Sequence, residues 1–270
     1  MKILLNNDDL NEALYDVSNL GFVPTMGSLH KGHISLIKRS LKECKKTIVS
    51  IFVNPTQFNS NYDFKNYPRN NAKDLSILKK LKIDFLYMPK ENDVYNSKKN
   101  SLIKLQKKEK ILCAKSRKGH FEGVIDVMNR LTNIIKPKKI YMGEKDFQQL
   151  YLVKKYIQKK NSTKIILCKT IRDKNKLAFS SRNELLSKMD LIKAGKISEE
   201  MISFKKSLIS NRDIKKLIIK KKKELINAFN IKFDYIELRN VLTLKTSDKI
   251  KNSKLFLAYY IKKVRLIDNF

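Results

Sequence analysis

The first two thirds of this chain alternate short, β-rich apolar runs with longer amphipathic stretches, and few architectures accommodate that pattern. The apolar runs are 21–26 (GFVPTM), 47–53 (TIVSIFV), 83–88 (IDFLYM), 138–142 (KKIYM) and 163–168 (TKIILC), and they read as strands buried on both faces. In 123–135, Val124, Val127, Met128, Leu131, Ile134 and Ile135 recur at spacings of three and four until Pro137 ends the pattern, which predicts a helix. Segments 33–43, 71–81 and 146–158 read the same way. The alternation predicts an α/β fold: a Rossmann-like, mainly parallel sheet with helices on both faces and ligands at the carboxyl ends of its strands.

After about residue 176 the character changes. Two Lys-rich helical stretches, 184–209 and 211–229, precede strand-like runs at 233–238 (FDYIEL) and 254–261 (KLFLAYYI). The expected organisation is therefore a Rossmann-like domain over 1–175 and a smaller C-terminal α+β domain over 176–270. The polar segment 91–118 reads as a surface excursion over the sheet edge, from which Arg117 could reach a ligand. In 215–223 (KKLIIKKKK), helical spacing puts Leu217 and Ile218 on a core stripe and leaves the lysines solvated.

Composition sets the partner classes. With 42% hydrophobic residues, seven Gly and five Pro among 270 residues, the chain can build a core and is neither collagen-like nor disordered. Its 59 basic and 26 acidic residues give a net charge of +33, yet only nine of the basic residues are Arg. A polyanion partner is one reading. Drift of tolerant surface positions toward Lys, Asn and Ile is the other, and the scarcity of the Arg fork argues against a nucleic-acid partner. Cys44, Cys113 and Cys168 are odd in number and form no C-x-x-C pair, which fits a reducing cytoplasm better than a disulfide framework or a zinc ribbon. The N-terminal apolar run is too short for a signal peptide and no later run approaches a membrane span, so a soluble, unprocessed protein is expected.

Four segments carry chemistry, each after a strand or at the domain junction. In PTMGSLHKGH, Gly27 and Gly32 allow close backbone approach to a ligand and the following helix offers its N-terminal N–H groups, with the imidazoles of His30 and His33 attached: a phosphate cradle. Metal ligands or ordinary capping histidines are the alternatives, and no third metal ligand lies nearby in sequence. In FVNPTQF, Asn54 and Gln57 offer neutral amides suited to a small polar substrate, or form a polar turn. In GEKDFQQ, Asp146 and Gln149 have capping-box spacing, whereas Lys145 at a helix N-terminus opposes the macrodipole and is better explained by an anion between the two. In FSSRN, Ser181 and Glu184 also have cap spacing; Ser180, Ser181 and Arg182 would equally form a mobile phosphate clamp.

Taken together, PTMGSLHKGH, SIFVNPTQF, YPR at Tyr67-Pro68-Arg69, GHFEGV, GEKDFQQL, SSRN and the closing RLIDN resemble the pantothenate synthetase (pantoate–β-alanine ligase) family of HIGH-type nucleotidyltransferases from Val23 to Asn269. The resemblance implies a two-step ligation: pantoate attacks the α-phosphorus of ATP, releasing pyrophosphate, and β-alanine then displaces AMP. It implies that Met26, Gly27, Ser28, Leu29, His30, Lys31, Gly32 and His33 bind ATP, with His33 the catalytic proton donor and His30 assisting it. Gly143, Glu144, Lys145, Asp146, Ile171, Phe179, Ser180, Ser181 and Arg182 complete the nucleotide set, Lys145 and Arg182 sharing charge neutralisation with His33. Gln57 and Gln149 match pantoate-binding positions, Gln57 also near β-alanine, and Asn54 joins that set. Mg²⁺ would bridge ATP phosphates and keep most of its waters, so no metal ligand is assigned, with Asp74 and Asp146 as candidates only. A homodimer is what the family suggests. One departure stands out: Asn175-Lys176-Leu177-Ala178 replaces the usual Asp-Gly-Leu-Ala, so Asn175 is expected to take the left-handed geometry, and Phe179 is bulkier than the usual Leu or Met.

Overall fold

The computed structural model describes residues 1–95, 103–158, 162–208 and 213–270. Parts of the expected surface excursion (96–102) and the inner ends of the two Lys-rich stretches (209, 211 and 212) lie outside the described residues. Backbone contacts divide the chain into two compact units, Met1–Lys169 and Thr170–Phe270.

The first unit is built on a six-stranded sheet of β1 (Lys2–Leu4), β2 (Leu20–Thr25), β3 (Lys46–Ile51), β4 (Phe85–Tyr87), β5 (Lys139–Gly143) and β6 (Lys164–Cys168). Every pairing is parallel, in the order β1-β4-β3-β2-β5-β6. The helices around it are α1 (Asn7–Leu14), α2 (Lys31–Glu43), α3 (Asn61–Lys65), α4 (Asn71–Lys80), α5 (Glu91–Tyr95), α6 (Cys113–Ser116), α7 (His120–Ile135) and α8 (Phe147–Val153). Val23, Val49, Leu86 and Tyr141 from four strands meet Ile37 of α2 and Leu78 of α4 in one core, as expected for parallel strands covered on both faces. The expected strands and helices of this unit are all present; β1 is an additional strand, and α1, α3, α5 and α6 are additional helices. Strand β1 is a three-residue edge strand whose side chains are exposed except for Leu4, too short for an alternation to register.

Pro24 shapes the middle of the sheet. The Leu20 carbonyl accepts from Lys138 N–H on the β5 side, and the Thr25 carbonyl accepts from Phe52 N–H on the β3 side. Strand alternation therefore turns Pro24 toward β5, where it has no N–H to offer. The β2–β5 pairing ends at Phe22–Ile140, whereas β2–β3 pairing continues to Thr25–Ile51. The two central strands part at their carboxyl ends, which opens a crevice.

The second unit pairs α9 (Lys188–Ser207) and α10 (Ile214–Phe229) with an antiparallel sheet of β7 (Lys232–Asn240), β8 (Ser253–Ile261) and β9 (Val264–Asn269). Ala194, Ile197 and Met201 of α9 pack with Ile236, Leu238, Leu255 and Leu257 of the sheet, which is the predicted α+β arrangement. Strand β9 escaped the sequence reading because its hairpin turn is Lys262-Lys263, with Lys262 at φ 53°, where an Asn-Gly signal would be usual. This unit begins six residues before the break read from composition (169/170 against 175/176). Arg172 explains the shift: its guanidinium donates to both carboxylate oxygens of Asp268 on β9, at 2.6 and 2.8 Å. Among the described residues no helix is long and apolar enough to cross a membrane.

Residues 171–179 form a tight reversal. Phe179 N–H donates to the Ile171 carbonyl, and Asp173 Oδ1 accepts from Asn175 and Leu177 N–H at 2.8 and 2.9 Å. The left-handed residue is Lys176, φ 66°, and not Asn175 as expected. The Asp173 carboxylate holds the amides on either side and forces the awkward conformation onto the position between them. Lys176→Gly is expected to stabilise the protein by about 1 kcal/mol by relieving a side chain in this region, read as a higher urea midpoint; an unchanged or lower midpoint would contradict the account.

Glu43 ties the far end of α2 to the sheet. Its carboxylate accepts from Arg39 Nε at 2.8 Å, Tyr141 hydroxyl at 3.1 Å and Lys139 Nζ at 3.3 Å. The Arg39 bond first, and the Tyr141 and Lys139 bonds with it, lower its pKa from 4.5 to about 2. A depressed carboxylate stabilises the fold fully above its unfolded value and loses that contribution as pH falls through the folded value. Glu43→Gln is therefore expected to be less stable than the parent at pH 7, with the gap closing between pH 4.5 and 2. A gap independent of pH in urea melts would remove the ion-pair explanation.

Candidate active site

Chain direction reverses between β2 and β5: from β2 the chain runs on to β3, and from β5 to β6 on the opposite side. In open parallel sheets ligands bind at such a switch point. The segments read as functional in the first unit leave β2, β3 and β5, the three central strands.

After β2 the backbone turns through two left-handed residues, Gly27 at φ 80° and Ser28 at φ 49°. A Cβ on Gly27 would sit 3.1 Å from Asp74 Oδ2, so space and conformation both call for glycine. Asp74, in the first turn of α4 and fully buried, accepts from Ser28 N–H at 2.8 Å and Leu29 N–H at 2.7 Å. Gly27 N–H goes to Thr25 Oγ1 at 3.2 Å. These three loop donors turn inward, so what the loop can present to a ligand is the start of α2 with its two imidazoles. Asp74, considered as an Mg²⁺ ligand, anchors the loop.

The two imidazoles cap α2 reciprocally. His30 Nδ1 accepts from Gly32 N–H at 3.1 Å, and His33 Nδ1 accepts from His30 N–H at 3.4 Å. The rings stack with centroids 4.0 Å apart and planes at 23°. A nitrogen that accepts a backbone N–H carries no proton, so each ring in this arrangement is neutral with its hydrogen on Nε2. Desolvation by burial, then the neighbouring His30 and Lys145, hold the pKa of His33 well below the ordinary histidine value. His33 is therefore a neutral hydrogen-bond donor at pH 7, with the Lys145 ammonium as the cation beside it.

After β3, the Asn54 amide is engaged within the protein, as in the polar-turn alternative. Asn54 is buried, and its Oδ1 accepts from Tyr95 hydroxyl at 2.5 Å, Thr56 hydroxyl at 3.1 Å and Thr56 N–H at 3.3 Å. Its Nδ2 donates to Gln57 Oε1 at 3.2 Å and to the Gly123 carbonyl at 3.3 Å. Asn54 positions Gln57. The Gln57 Nε2 is set against Met26 Sδ at 2.7 Å, a weak acceptor that competes little with a better one. Burial raises the pKa of the Tyr95 hydroxyl to about 12, so it remains a donor at any working pH.

After β5, Gly143 to Asp146 lead into α8, and Lys145 Nζ stands 3.9 Å from Asp146 Oδ1. Asp146 makes no side-chain cap bond to α8, so the capping-box spacing is not realised. Gln148 is buried and bonded on both ends: Nε2 to the Ile111 carbonyl at 2.7 Å, Oε1 from Cys113 N–H at 3.1 Å. Gln149 is part-exposed. A cleft of about 190 Å³ opens at the carboxyl ends of β2, β3 and β4, lined by Met26, Gly27, Val53, Arg69 and Met88 among others; Arg69 is its cation and stacks over Phe64 at 5.1 Å.

In the second unit, Ile171 and Phe179 close the reversal described above. Ser180 Oγ accepts from Arg182 N–H at 3.3 Å, and Asn183 Nδ2 donates to the Ala178 carbonyl at 3.1 Å. Here Ser180 is the cap of the short 3₁₀ turn Ser181–Leu185, one residue before the cap read from spacing.

Sequence reasoning missed Tyr95 and the anchoring roles of Asp74, Gln148 and His120, the last considered only as a possible third metal ligand. Each acts across a separation of 35 residues or more, and no local pattern reports that. Asp74→Asn is expected to destabilise the protein by about 1–3 kcal/mol, because an amide NH₂ would face one of the two N–H groups now accepted. A chemical melt within error of the parent would show that the loop stands without this anchor.

Residues 2–270 match the family model described as pantoate-beta-alanine ligase. A pantothenate synthetase of Clostridium botulinum is 41% identical over 258 residues, covering 93% of this chain and 91% of its own. Pantothenate synthetase of Thermus thermophilus has a TM-score of 0.92 at 28% identity, covering 100% of this chain and 99% of its own. Pantoate-beta-alanine ligase of Francisella tularensis, solved with beta-gamma ATP and beta-alanine, has a TM-score of 0.84 at 39% identity, covering 100% and 97%. With the family model, the relatives' sequences and the structural likeness agreeing over nearly all of its length, the chain belongs to the pantoate–β-alanine ligase family.

Proposed function

We propose that this protein condenses pantoate with β-alanine at the expense of ATP. A pantoate carboxylate oxygen attacks the α-phosphorus and the bond to the β-phosphate breaks, giving pantoyl-adenylate and pyrophosphate. The β-alanine amine then attacks the acyl carbon, a C–N bond forms, AMP leaves and the amine sheds a proton. No covalent bond to the protein is required.

The observation that carries this reading is the stacked His30–His33 pair beside Lys145 at the switch point. In-line attack at phosphorus needs positioning and charge neutralisation more than proton transfer. Neutral His33 supplies an Nε2–H donor, and Lys145 supplies the positive charge that offsets what builds on the α-phosphate and the leaving pyrophosphate. Two adjacent cations would repel each other in a poorly solvated site, and a neutral His33 avoids that repulsion. The set Met26–His33 with Gly143–Asp146 takes the nucleotide; Gln57 and Gln149 take pantoate through directional amides. Ile171 and Phe179–Arg182 join the nucleotide set on the resemblance. Mg²⁺ bound with ATP would supply neutralisation of phosphate charge and keep most of its waters, so few protein carboxylates would be needed, Asp146 being the part-exposed one among the candidate residues. A cytoplasmic homodimer completes the proposal, supported by three free thiols and the family resemblance.

The test is a mass-spectrometric assay with ATP, Mg²⁺, pantoate and β-alanine, omitting each in turn. Pantothenate and AMP are expected only from the complete mixture. His33→Ala and Lys145→Ala are expected to slow adenylation by about 100-fold, the scale of one lost electrostatic stabiliser. Product formed without β-alanine or without ATP would refute the reaction, and a variant at the parent's rate would remove that residue from it.

A further inference from the structure

We infer that His120, the third histidine, is a positioning residue for Gln57, held as the neutral Nδ1–H tautomer, opposite to that of His30 and His33. The inference rests on the ligase reading above. His120 opens α7 and is buried. Its Nδ1 lies 2.6 Å from the Gln57 carbonyl oxygen, which can only accept, so Nδ1 carries the proton. Its Nε2 lies 2.8 Å from Arg117 Nη1, which can only donate, so Nε2 carries none. Two independent partners thus dictate one tautomer, and the guanidinium excludes the imidazolium.

The bond fixes the short turn Pro55–Gln57 from one side, and α7 fixes it from another. A Cβ on Gly123 would lie 2.5 Å from the Thr56 carbonyl oxygen and 3.0 Å from Gln57 N, so helix and turn touch backbone to backbone. The Gly123 carbonyl also receives Asn54 Nδ2, the same amide that holds Gln57 Oε1. The Gln57 main chain and side chain are therefore both referred to the first turn of α7. This explains why a buried imidazole stands where no reacting group needs it: it sets where the Gln57 amide meets pantoate, without touching the substrate.

The chain has only three histidines, so their ring ¹⁵N spectra can be assigned by single substitutions. At neutral pH, His120 is expected with a protonated Nδ1 and a bare Nε2, and His30 and His33 with the reverse. His120→Ala is expected to raise the KM for pantoate about tenfold, the scale of losing one bond to a buried carbonyl, with the KM for ATP unchanged. His120→Asn, which keeps a donor near the Nδ1 position, is expected to recover most of the loss, whereas Gly123→Ala, which presses on Thr56, is expected to behave like His120→Ala. His120 found as the Nε2–H tautomer or as imidazolium would overturn the inference. So would a folded His120→Ala protein with the parent's pantoate KM, or one whose two KM values rise together. Failure of the parent protein to form pantothenate would overturn the ligase reading itself, and the inference with it.

Discussion

The site depends on one buried carboxylate. Asp74 reaches from α4 to accept the N–H groups of Ser28 and Leu29, and those bonds make two consecutive left-handed residues affordable at the end of β2. A buried charge is tolerated only when its hydrogen bonds are made, and here the donors belong to the loop that must be held. The direction of α2 follows, because His30 caps that helix one residue after Leu29. At the other end of α2, Glu43 is bonded to Lys139 and Tyr141 of β5. The helix that carries the imidazoles is thus fixed at its start to α4 and at its end to the strand that leads to Lys145.

Charge at the site is sparing despite a net charge of +33. Most lysines are solvated and screened, and they say little about chemistry. The three histidines are arranged to be neutral by their partners: His30 and His33 accept backbone N–H groups, and His120 accepts from Arg117. Neutral rings can pack closely without mutual repulsion, with the Lys145 ammonium beside them. Stacking at 4.0 Å would be unfavourable for two imidazolium rings; it suits two neutral ones.

The sheet was legible in the sequence because its strands are buried on both faces and therefore uniformly apolar, as in TIVSIFV and TKIILC. Three of the four candidate segments follow such strands, and the fourth lies near the start of the second unit. What the sequence hid is instructive. Strand β9 was hidden by a Lys-Lys hairpin turn, and β1 by its length. Asn54 and Gln57 look equivalent as neutral amides three residues apart, yet burial and the Tyr95 hydroxyl make Asn54 the holder and Gln57 the held. In the reversal at 171–179, residue preference favoured Asn175 for the left-handed position, but the two amides bound by Asp173 decided for Lys176. Local propensity lost wherever a long-range or side-chain acceptor fixed the backbone first.

Gln148 and Gln149 show the same division between adjacent, identical residues, and they connect the two sides of the crevice. Leu112 has φ 48° and ψ −124°, a conformation that costs a β-carbon-bearing residue about 1–3 kcal/mol. It is retained because Gln148 bonds the Ile111 carbonyl before it and the Cys113 N–H after it, while Leu112 itself is buried. From Cys113 the chain passes through α6, whose end is closed by Arg117 N–H on the Cys113 carbonyl, and Arg117 then meets His120. A continuous set of bonds therefore runs from the start of α8, which bears Gln149 and follows Lys145, to the Gln57 carbonyl beyond β3. The two glutamines proposed to hold pantoate stand on different strands' exits, and their spacing is set by this strained but fully bonded segment rather than by the sheet alone.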